Sequence, residues 1–288
     1  MRLQSNWVVV FGLAFAALSA AAPPPARDPA EPACPQQLIY LTDNPETLRT
    51  TIANRAALYG PGLRADWETA KADFFTNPDG EEILVIKGLE VMRGFEKPYM
   101  ASIAKTVASR GGKVLNVGYG IGFIDAEIER LREQFPITEH HIIELNADVA
   151  ARAVQWRERQ PHRDLIFIHQ GDWNQQLNAI VATGTLFDGI AYDAFPLEEQ
   201  ELHRDFVPFL EEVIKLRAIK EGSGLITFYM DSADGFGSRF LAYARGLGVE
   251  SLSTEKVFVT LPISGNQYWE RNYFFTPTLT QIRYGDER

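Results

Sequence analysis

Two carboxylic acids stand in this sequence where they could hold a basic group and remove its proton. Asp193 ends the apolar run 187–192, and Glu96 lies in segment 94–100, just before the helix that leads into the first predicted strand. Two carboxylates in one apolar cleft are costly unless a cation joins them, and a guanidinium matches carboxylates in pairs. Asp193 would then take a proton as a nitrogen attacks a methyl group. The simpler interpretations are a strand-end acid and, for Glu96, an acid favoured at a helix start.

A glycine-spaced turn is the strongest sign of a ligand site. Gly118, Gly120 and Gly122 follow the apolar run 113–117 and lead into a helical pattern. Such a strand, turn and helix begin a nucleotide-type site, because glycine lets backbone amides approach a ligand. Phe123 stands where the dinucleotide pattern requires glycine, so the spacing favours an adenosyl ligand without a pyrophosphate, such as S-adenosylmethionine. A tight turn without a ligand is the alternative.

The next two predicted strands end in groups suited to an adenosyl ligand. Glu144 ends the run 140–144, one βα unit after the glycine turn, where doubly wound sheets place an acid that binds ribose hydroxyls. Asp172 and Trp173 follow the run 165–169, where a loop can close over an adenine ring while the acid contacts its amino group. A solvated strand-end acid and an ordinary core tryptophan are the alternatives.

Apolar runs alternate with helical patterns through most of the chain. Strands are predicted at residues 113–117, 140–144, 165–169, 187–192 and 224–230, with helices between them and a helix over 98–109 before them. This alternation predicts an α/β fold in which helices cover both faces of a mostly parallel sheet. Residues 256–262 and 271–277 have no helix-length segment between them and predict an antiparallel hairpin at the sheet edge.

The N-terminal part of the chain divides into segments of different character. Residues 1–22 have the basic start, apolar run and small residues of a secretory signal, and residues 23–42 are a linker rich in proline and alanine. Residues 43–288 form the domain with the adenosyl site, within which 43–110 are predicted to be a substrate or lid region. Helical patterns cover 45–58 and 66–74, and 82–89 is typical of a short strand or lid.

Composition limits the partners of the chain. With 28 Lys+Arg against 38 Asp+Glu, the net charge is −10, which disfavours nucleic acid and suits a cationic substrate. Cys34 is the only cysteine, so an intrachain disulfide or a cysteine-based zinc site is excluded. His140 and His141 are adjacent in a strand and point to opposite faces, and no metal is expected. The catalytic domain is predicted to be cytoplasmic, where its cofactor is supplied; export or membrane anchoring through residues 1–22, or a misassigned start codon, is the alternative.

These motifs resemble those of the guanidinoacetate N-methyltransferases and of their relatives, the fungal-type protein arginine N5-methyltransferases. The resemblance extends from about Trp67 to the C-terminus and is carried by 91–92, Glu96, 98–100, 111–115, 139–140, 142–144, 187–189 and 192–193 with Pro196. It implies a class I S-adenosylmethionine-dependent methyltransferase, with a Rossmann-like fold, a seven-stranded sheet and S-adenosylmethionine as cofactor.

The resemblance also implies roles for particular residues. The cofactor would be surrounded by Trp67, Met92, Met100, Gly118, Gly120, Gly122, Phe123, Ile124, Asp125, Glu144, Leu145, Asn146, Asp172, Trp173 and Asp193. From the pattern alone, Trp67, Met92 and Met100 would be assigned to the core. Glu96 and Asp193 would grip a guanidino group beside Met92, with Asp193 as the base. The loop of Asp231, Ser232 and Ala233 would lie near the substrate carboxylate, where backbone amides could bind it.

The sequence departs from both groups of enzymes in ways that leave the substrate open. Asn116 replaces an acid of the guanidinoacetate enzymes, and Ala233 replaces a hydroxyl residue in the substrate loop. Methylation of a small guanidino substrate of the guanidinoacetate type is predicted, with arginine, free or in a protein, as the alternative. A dinucleotide-dependent oxidoreductase and a non-catalytic module that binds the adenosyl ligand are alternatives of other classes. A weak homo-oligomer is compatible with these interpretations.

Overall fold

Ten strands form two sheets in the part of the chain that the structure describes. The structure is a computed structural model and describes residues 39–46, 63–64, 66–197, 204–232 and 234–285, so the segments predicted over 1–22, most of 23–42 and 47–58 lie outside the described residues. The strands are β1 (Ala72–Thr76), β2 (Glu82–Ile86), β3 (Leu89–Arg93), β4 (Gly112–Val117), β5 (Ile137–Glu144), β6 (Ile166–Gln170), β7 (Gly189–Tyr192), β8 (Leu225–Phe228), β9 (Val249–Phe258) and β10 (Tyr273–Ile282).

The larger sheet has seven strands in the order β6-β5-β4-β7-β8-β10-β9. The five strands β6, β5, β4, β7 and β8 are parallel, whereas β10 pairs antiparallel with both β8 and β9. Every residue of β7 and β8 is buried, as expected for strands covered on both faces. The predicted fold class and the antiparallel C-terminal hairpin at the sheet edge are therefore confirmed, although β9 both begins and ends earlier than the strand predicted over 256–262.

Helices cover both faces of this sheet. Within the described ranges the α-helices are α1 (Lys97–Ala108), α2 (Phe123–Arg130), α3 (Ala147–Arg157), α4 (Trp173–Ala182), α5 (Phe206–Lys215) and α6 (Ser238–Gly246). The first three share one apolar core and the last three share another. The helix predicted over 98–109 is confirmed as α1, with Pro98 in its first turn. Among these described helices, none has the length and apolar character needed to cross a membrane.

A small antiparallel sheet precedes α1. Strands β1, β2 and β3 pair in sequence order, and Lys87 and Gly88 connect β2 to β3 with φ values of +53° and +80°. These angles are those of the tight turns that favour two-residue hairpins. The helix predicted over 66–74 is wrong, because residues 72–76 pair with β2 as a strand and 66–69 form turns. Cross-strand pairing of the aromatic residues Phe74 and Phe75 outweighs the local helical pattern.

The order of the large sheet sets the place for a ligand. From β4 the chain proceeds through β5 to β6 on one side and then returns to β7 on the other side of β4. The carboxyl ends of β4 and β7 therefore lie next to each other at a topological switch point, where open α/β sheets bind ligands. Gly118 follows β4 and Asp193 follows β7, so the fold brings the glycine turn and the predicted base together.

Candidate active site

A cavity of about 420 Å³ lies at the carboxyl ends of β4, β5 and β7. This volume is in the range of pockets that hold small ligands. The predicted site residues that line it are Trp67, Met92, Glu96, Met100, Gly118, Gly120, Glu144, Leu145, Asp172, Trp173 and Asp193. These residues come from both sheets and from the starts of α1 and α4, so the cavity is assembled by the tertiary fold.

The glycine turn forms one wall of the cavity. Gly118 has a φ of +92°, and a Cβ added there would lie 2.2 Å from the Asp193 carbonyl oxygen. Gly120 has a φ of +56°, and a Cβ there would lie 2.8 Å from Cε of Met92. Both positions therefore require glycine, and their backbone is left open to the cavity.

Glu144 ties the glycine turn to the end of β5. One of its carboxylate oxygens accepts the Tyr119 backbone amide at 2.8 Å, and the other accepts the Asn146 amide at 2.8 Å. Burial raises the pKa of Glu144, and these backbone donors oppose that effect by stabilising the charged form. The carboxylate thus lies at the cavity wall, with its orientation fixed by the backbone on both sides.

Asp193 carries a buried acceptor oxygen at the cavity. Its backbone amide donates to the Val117 carbonyl at 2.7 Å, which joins the ends of β7 and β4. Oδ2 is buried and has no hydrogen-bond partner among the described residues. Burial raises the pKa of Asp193 well above its usual range, and the negative charge of Glu96 raises it further. Such an oxygen is a candidate acceptor for a ligand N–H.

Glu96 is held at the start of α1. Its side chain is 2% exposed, and Oε2 accepts the Arg93 backbone amide at 3.1 Å. Burial and the Glu96 charge together raise the pKa of Tyr268 well above its usual range. Glu96, Asp193 and Tyr268 all line the cavity, and the Glu96 charge acts on both of the other groups.

Trp67 lines the cavity and is held in place by Asn146. The Trp67 ring stacks on Phe195, with ring centroids 5.2 Å apart and planes 6° apart. Asn146 donates to the Trp67 and Ala70 carbonyls at 2.7 Å each, and its side-chain oxygen caps α3. The structure therefore places Asn146 behind the cavity lining, where it fixes Trp67, and places Trp67 itself at the cavity.

Three other residues of the predicted cofactor segment lie outside the lining. Gly122 closes the turn, and a Cβ there would lie 2.5 Å from the Tyr119 hydroxyl. Phe123 lies beneath Lys97, whose Nζ is 4.9 Å from the ring centre, and Ile124 is buried in the core. These residues shape the turn and the start of α2, one layer behind the cavity.

Asp125 belongs to a buried polar network. Its oxygens accept from the Asn116 side-chain amide at 3.0 and 3.1 Å and lie 3.1 Å from Nε2 of His140. Nδ1 of His140 lies 2.9 Å from Glu129, and Asn116 also donates to the Gly118 carbonyl at 2.9 Å. Asn116, which replaces an acid of the guanidinoacetate enzymes, thus uses its side-chain amide to join this network to the glycine turn.

The described residues of the predicted carboxylate loop, Asp231 and Ser232, do not line the cavity. Ser232 is fully buried, and its Oγ donates to the Gly235 carbonyl at 3.0 Å within the same loop. Ala233 lies outside the described residues.

Several lining residues carry no signal in the sequence. They are Arg204 at the start of α5, Tyr229 after β8, Phe195 after Asp193, and Gln267 and Tyr268 in the connection between β9 and β10. Phe195 and Arg204 lie close enough in sequence to Asp193 to have been considered. Gln267 and Tyr268 reach the cavity through contacts between distant segments: Gln267 exchanges hydrogen bonds with Glu90 at 2.9 and 3.0 Å, and Arg93 of β3 donates to the Gly265 carbonyl at 2.6 Å.

Comparison with known proteins decides the family. Residues 57–235 match the family model described as guanidinoacetate N-methyltransferase. The chain belongs to this family. S-adenosylmethionine is the cofactor expected of this class of methyltransferase.

Two curated relatives of this chain are named for a different substrate, arginine in proteins. Protein arginine N-methyltransferase 2 of Aspergillus fumigatus is 32% identical over 179 residues, which cover 59% of this chain and 39% of the relative. The protein of the same name from Aspergillus oryzae is 38% identical over 127 residues, which cover 43% of this chain and 28% of the relative. The chain therefore spans less than half the length of these two relatives.

The fold is that of class I methyltransferases. Spermidine synthase from Thermotoga maritima aligns with a TM-score of 0.51 at 13% identity, covering 74% of this chain and 70% of that chain. At this identity the likeness concerns the fold alone.

The residues of the cavity fit the cofactor of the family. Gly118 and Gly120 leave space that a side chain would fill. Glu144 places a carboxylate at the end of β5, and Asp172 places another at the start of α4, next to Trp173. An adenosyl ligand needs such acceptors for its ribose hydroxyls and amino group.

Proposed function

We propose that this chain is an S-adenosylmethionine-dependent N-methyltransferase that acts on a small guanidino compound of the guanidinoacetate type. The observation that carries the proposal is Oδ2 of Asp193, which is buried, lacks a partner among the described residues, and belongs to a cavity that Glu96 also lines. A guanidinium supplies several N–H donors and a positive charge, so it can form hydrogen bonds with both carboxylates and neutralise them.

The cofactor half of the cavity has its own set of residues. When bound, S-adenosylmethionine supplies a methyl group on a positively charged sulfur. In the proposal, Glu144 accepts from the ribose hydroxyls, Asp172 and Trp173 contact the adenine, and the backbone at Gly118 and Gly120 lies against the remainder. Met92 supports this arrangement, since its sulfur accepts the Ile121 amide at 3.3 Å and so holds the turn.

The two carboxylates of the other half have different tasks. A guanidinium nitrogen is a poor nucleophile because its lone pair is delocalised, and carboxylates that localise the positive charge oppose that delocalisation. Glu96 holds the guanidino group, and Asp193 holds it and accepts the released proton at Oδ2. The raised pKa of Asp193 makes it a stronger base than an ordinary carboxylate.

Arginine, free or in a protein, is the second candidate substrate. The two Aspergillus relatives are both named protein arginine N-methyltransferase 2, which favours this alternative. It uses the same carboxylates and the same guanidino chemistry, and differs in what is attached to the guanidino group.

Methyl transfer from labelled S-adenosylmethionine tests the proposal. The full-length chain is incubated with guanidinoacetate, arginine, agmatine and an arginine-containing peptide. Label on guanidinoacetate is expected, whereas label confined to arginine or the peptide would select the second candidate. Cofactor binding without transfer to any guanidine would overturn the proposed function and leave a module that only binds the cofactor.

A further inference from the structure

Arg204 is a cavity-lining cation that the proposed chemistry leaves unused. It lies just before α5, next to Asp205 and near Pro208, which also line the cavity. Its Nε is buried and has no hydrogen-bond partner among the described residues. A buried guanidinium N–H without an acceptor costs free energy, so this position favours a ligand that brings an acceptor.

The acids of the cavity make this arginine unusual in its surroundings. The acidic residues of the lining are Glu90, Glu96, Glu144, Asp172, Asp193 and Asp205. The other lining arginine, Arg64, is exposed and has interactions of its own. Most charged residues of this lining are acids, which suit a cation. Arg204 therefore provides a position at which the cavity can bind an anion.

The position of the substrate loop strengthens this assignment. A substrate carboxylate was predicted to meet backbone amides of residues 231–233, but residues 231 and 232 lie outside the lining, whereas Arg204 belongs to it. A carboxylate inside the cavity can pair with Arg204, because guanidinium and carboxylate groups form two parallel hydrogen bonds.

We propose that Arg204 binds the carboxylate of a small guanidino acid, so that the cavity selects guanidino acids over guanidines that lack a carboxylate. The inference rests on the proposed function. It adds a residue that binds the substrate carboxylate to the two residues, Asp193 and Glu96, that bind the guanidino group. The methionine part of the cofactor also carries a carboxylate, so the experiment must distinguish the two sources.

Steady-state kinetics with a matched pair of substrates tests the assignment. Guanidinoacetate is compared with guanidinoacetamide, which replaces the carboxylate by a neutral amide of similar size, in the wild-type chain and in Arg204→Gln and Arg204→Lys. Arg245→Gln removes the same charge from an exposed position on α6 and serves as the control. Binding of S-adenosylhomocysteine and of methylthioadenosine, which lacks the amino acid part, is measured by calorimetry, and circular dichroism checks the fold of each variant.

Arg204→Gln is expected to raise KM for guanidinoacetate by about 10- to 100-fold and to leave KM for guanidinoacetamide within about twofold. Arg204→Lys should recover part of the loss, and Arg245→Gln should match the wild type. Weaker binding of S-adenosylhomocysteine but not of methylthioadenosine, with an unchanged substrate ratio, would assign Arg204 to the cofactor carboxylate and overturn substrate selection.

The failure of this inference is separable from the failure of the proposed function. An active wild type whose preference for guanidinoacetate survives Arg204→Gln, with unchanged cofactor binding, would overturn the role of Arg204 alone. Absence of transfer by the wild type to every guanidine would overturn the proposed function and the substrate selection that rests on it.

Discussion

At the scale of single residues, Asp193 and Glu96 influence each other through charge. After burial, the negative charge of Glu96 is the largest cause of the raised pKa of Asp193. The Glu96 charge therefore makes Asp193 harder to ionise until a cation enters the cavity. In the proposal both carboxylates bind the substrate, whereas Asp193 alone accepts the proton. Mutation of each residue can therefore separate substrate binding from proton transfer.

Asp193→Asn should lower kcat by about 10²- to 10⁴-fold, because the amide cannot accept the proton. Binding of S-adenosylhomocysteine and the melting temperature should stay close to those of the wild type, since Oδ2 has no partner among the described residues to lose. Asp164→Asn, at a side chain that is 96% exposed, is the matched control. Single-turnover transfer of label measures the effect, and a fully active Asp193→Asn chain would rule out Asp193 as the base.

Glu96→Gln should act on both binding and pH dependence. KM for the guanidino substrate should rise, because one of the two carboxylates that hold the cation is gone. Activity needs ionised Asp193, so kcat/KM should increase with pH through the raised pKa of that group. Removing the Glu96 charge lowers this pKa, and the acidic limb of the profile should shift to lower pH. An unchanged KM together with an unshifted limb would contradict the assignment of Glu96.

At the scale of elements, the glycine turn is set by the close approach of β4 and β7. Gly118→Ala should weaken binding of S-adenosylhomocysteine by more than about tenfold, because its Cβ would lie 2.2 Å from the Asp193 carbonyl oxygen. Gly184→Ala is a matched control, since Gly184 has a φ of +87° but nothing within 4 Å of an added Cβ.

The control variant should lose only the backbone term of about 1–2 kcal/mol in the free energy of unfolding and should keep its ligand affinity. Calorimetric titration and urea unfolding of both variants check the two quantities. Equal losses of affinity in Gly118→Ala and Gly184→Ala would show that backbone strain, rather than the approach of β7, explains the effect.

The network beneath the turn predicts how stability changes with pH. Both ring nitrogens of His140 face carboxylates, which raise the pKa of His140 against the opposing effect of burial. Because the pKa of His140 is raised in the folded state, the protonated ring stabilises the protein fully below its unfolded-state pKa of 6.5. This contribution is lost as the pH rises through the folded-state pKa. His140 and Arg132 lower the pKa of Glu129 to about 2, so its contribution is full above 4.5 and lost as pH falls towards 2.

His140→Gln should therefore cost about 3 kcal/mol near pH 6 and progressively less as the pH rises above 6.5 towards the raised pKa. Urea unfolding of wild type and variant at pH 6 and at pH 9 measures the difference. A gap that stays constant between these values, or widens at pH 9, would show that His140 is not held as a cation by Asp125 and Glu129.

At the scale of the whole molecule, net charge and cavity charge have the same sign. The chain carries −10 overall, and among the described residues six acids and two arginines line the cavity. Such a field concentrates cations near the site and weakens as salt screens it. The inhibition constant of agmatine, a dication, should rise about two- to fivefold between about 20 mM and about 500 mM salt. Binding of methylthioadenosine, which is uncharged at neutral pH, should stay constant, and an inhibition constant for agmatine that does not change with salt would contradict this role of the field.

Local pattern was sufficient to predict the large sheet and the centre of the candidate site. Apolar runs and helical periods determine β4 to β8 and α1, since each pattern follows from which faces are buried. The Gly118 turn, Glu144 and Asp193 were predicted because parallel strands bring their carboxyl ends to one edge, whatever the loops do. Asp125 and Asn146 were assigned to the cofactor, but the structure places them in buried hydrogen bonds one layer behind the lining.

The sequence by itself determined the kind of fold, the place of the candidate site and the carboxylates within it. Only the tertiary structure decided that β1 forms a strand where the local pattern is helical, that Trp67 at the cavity stacks on Phe195, and that Tyr268 reaches the lining from a distant segment. The physical reason is the separation along the sequence over which each interaction acts. Periodicity and turn chemistry act over a few residues, whereas strand pairing, ring stacking and the burial of an unpaired charge depend on residues that meet only after the chain has folded.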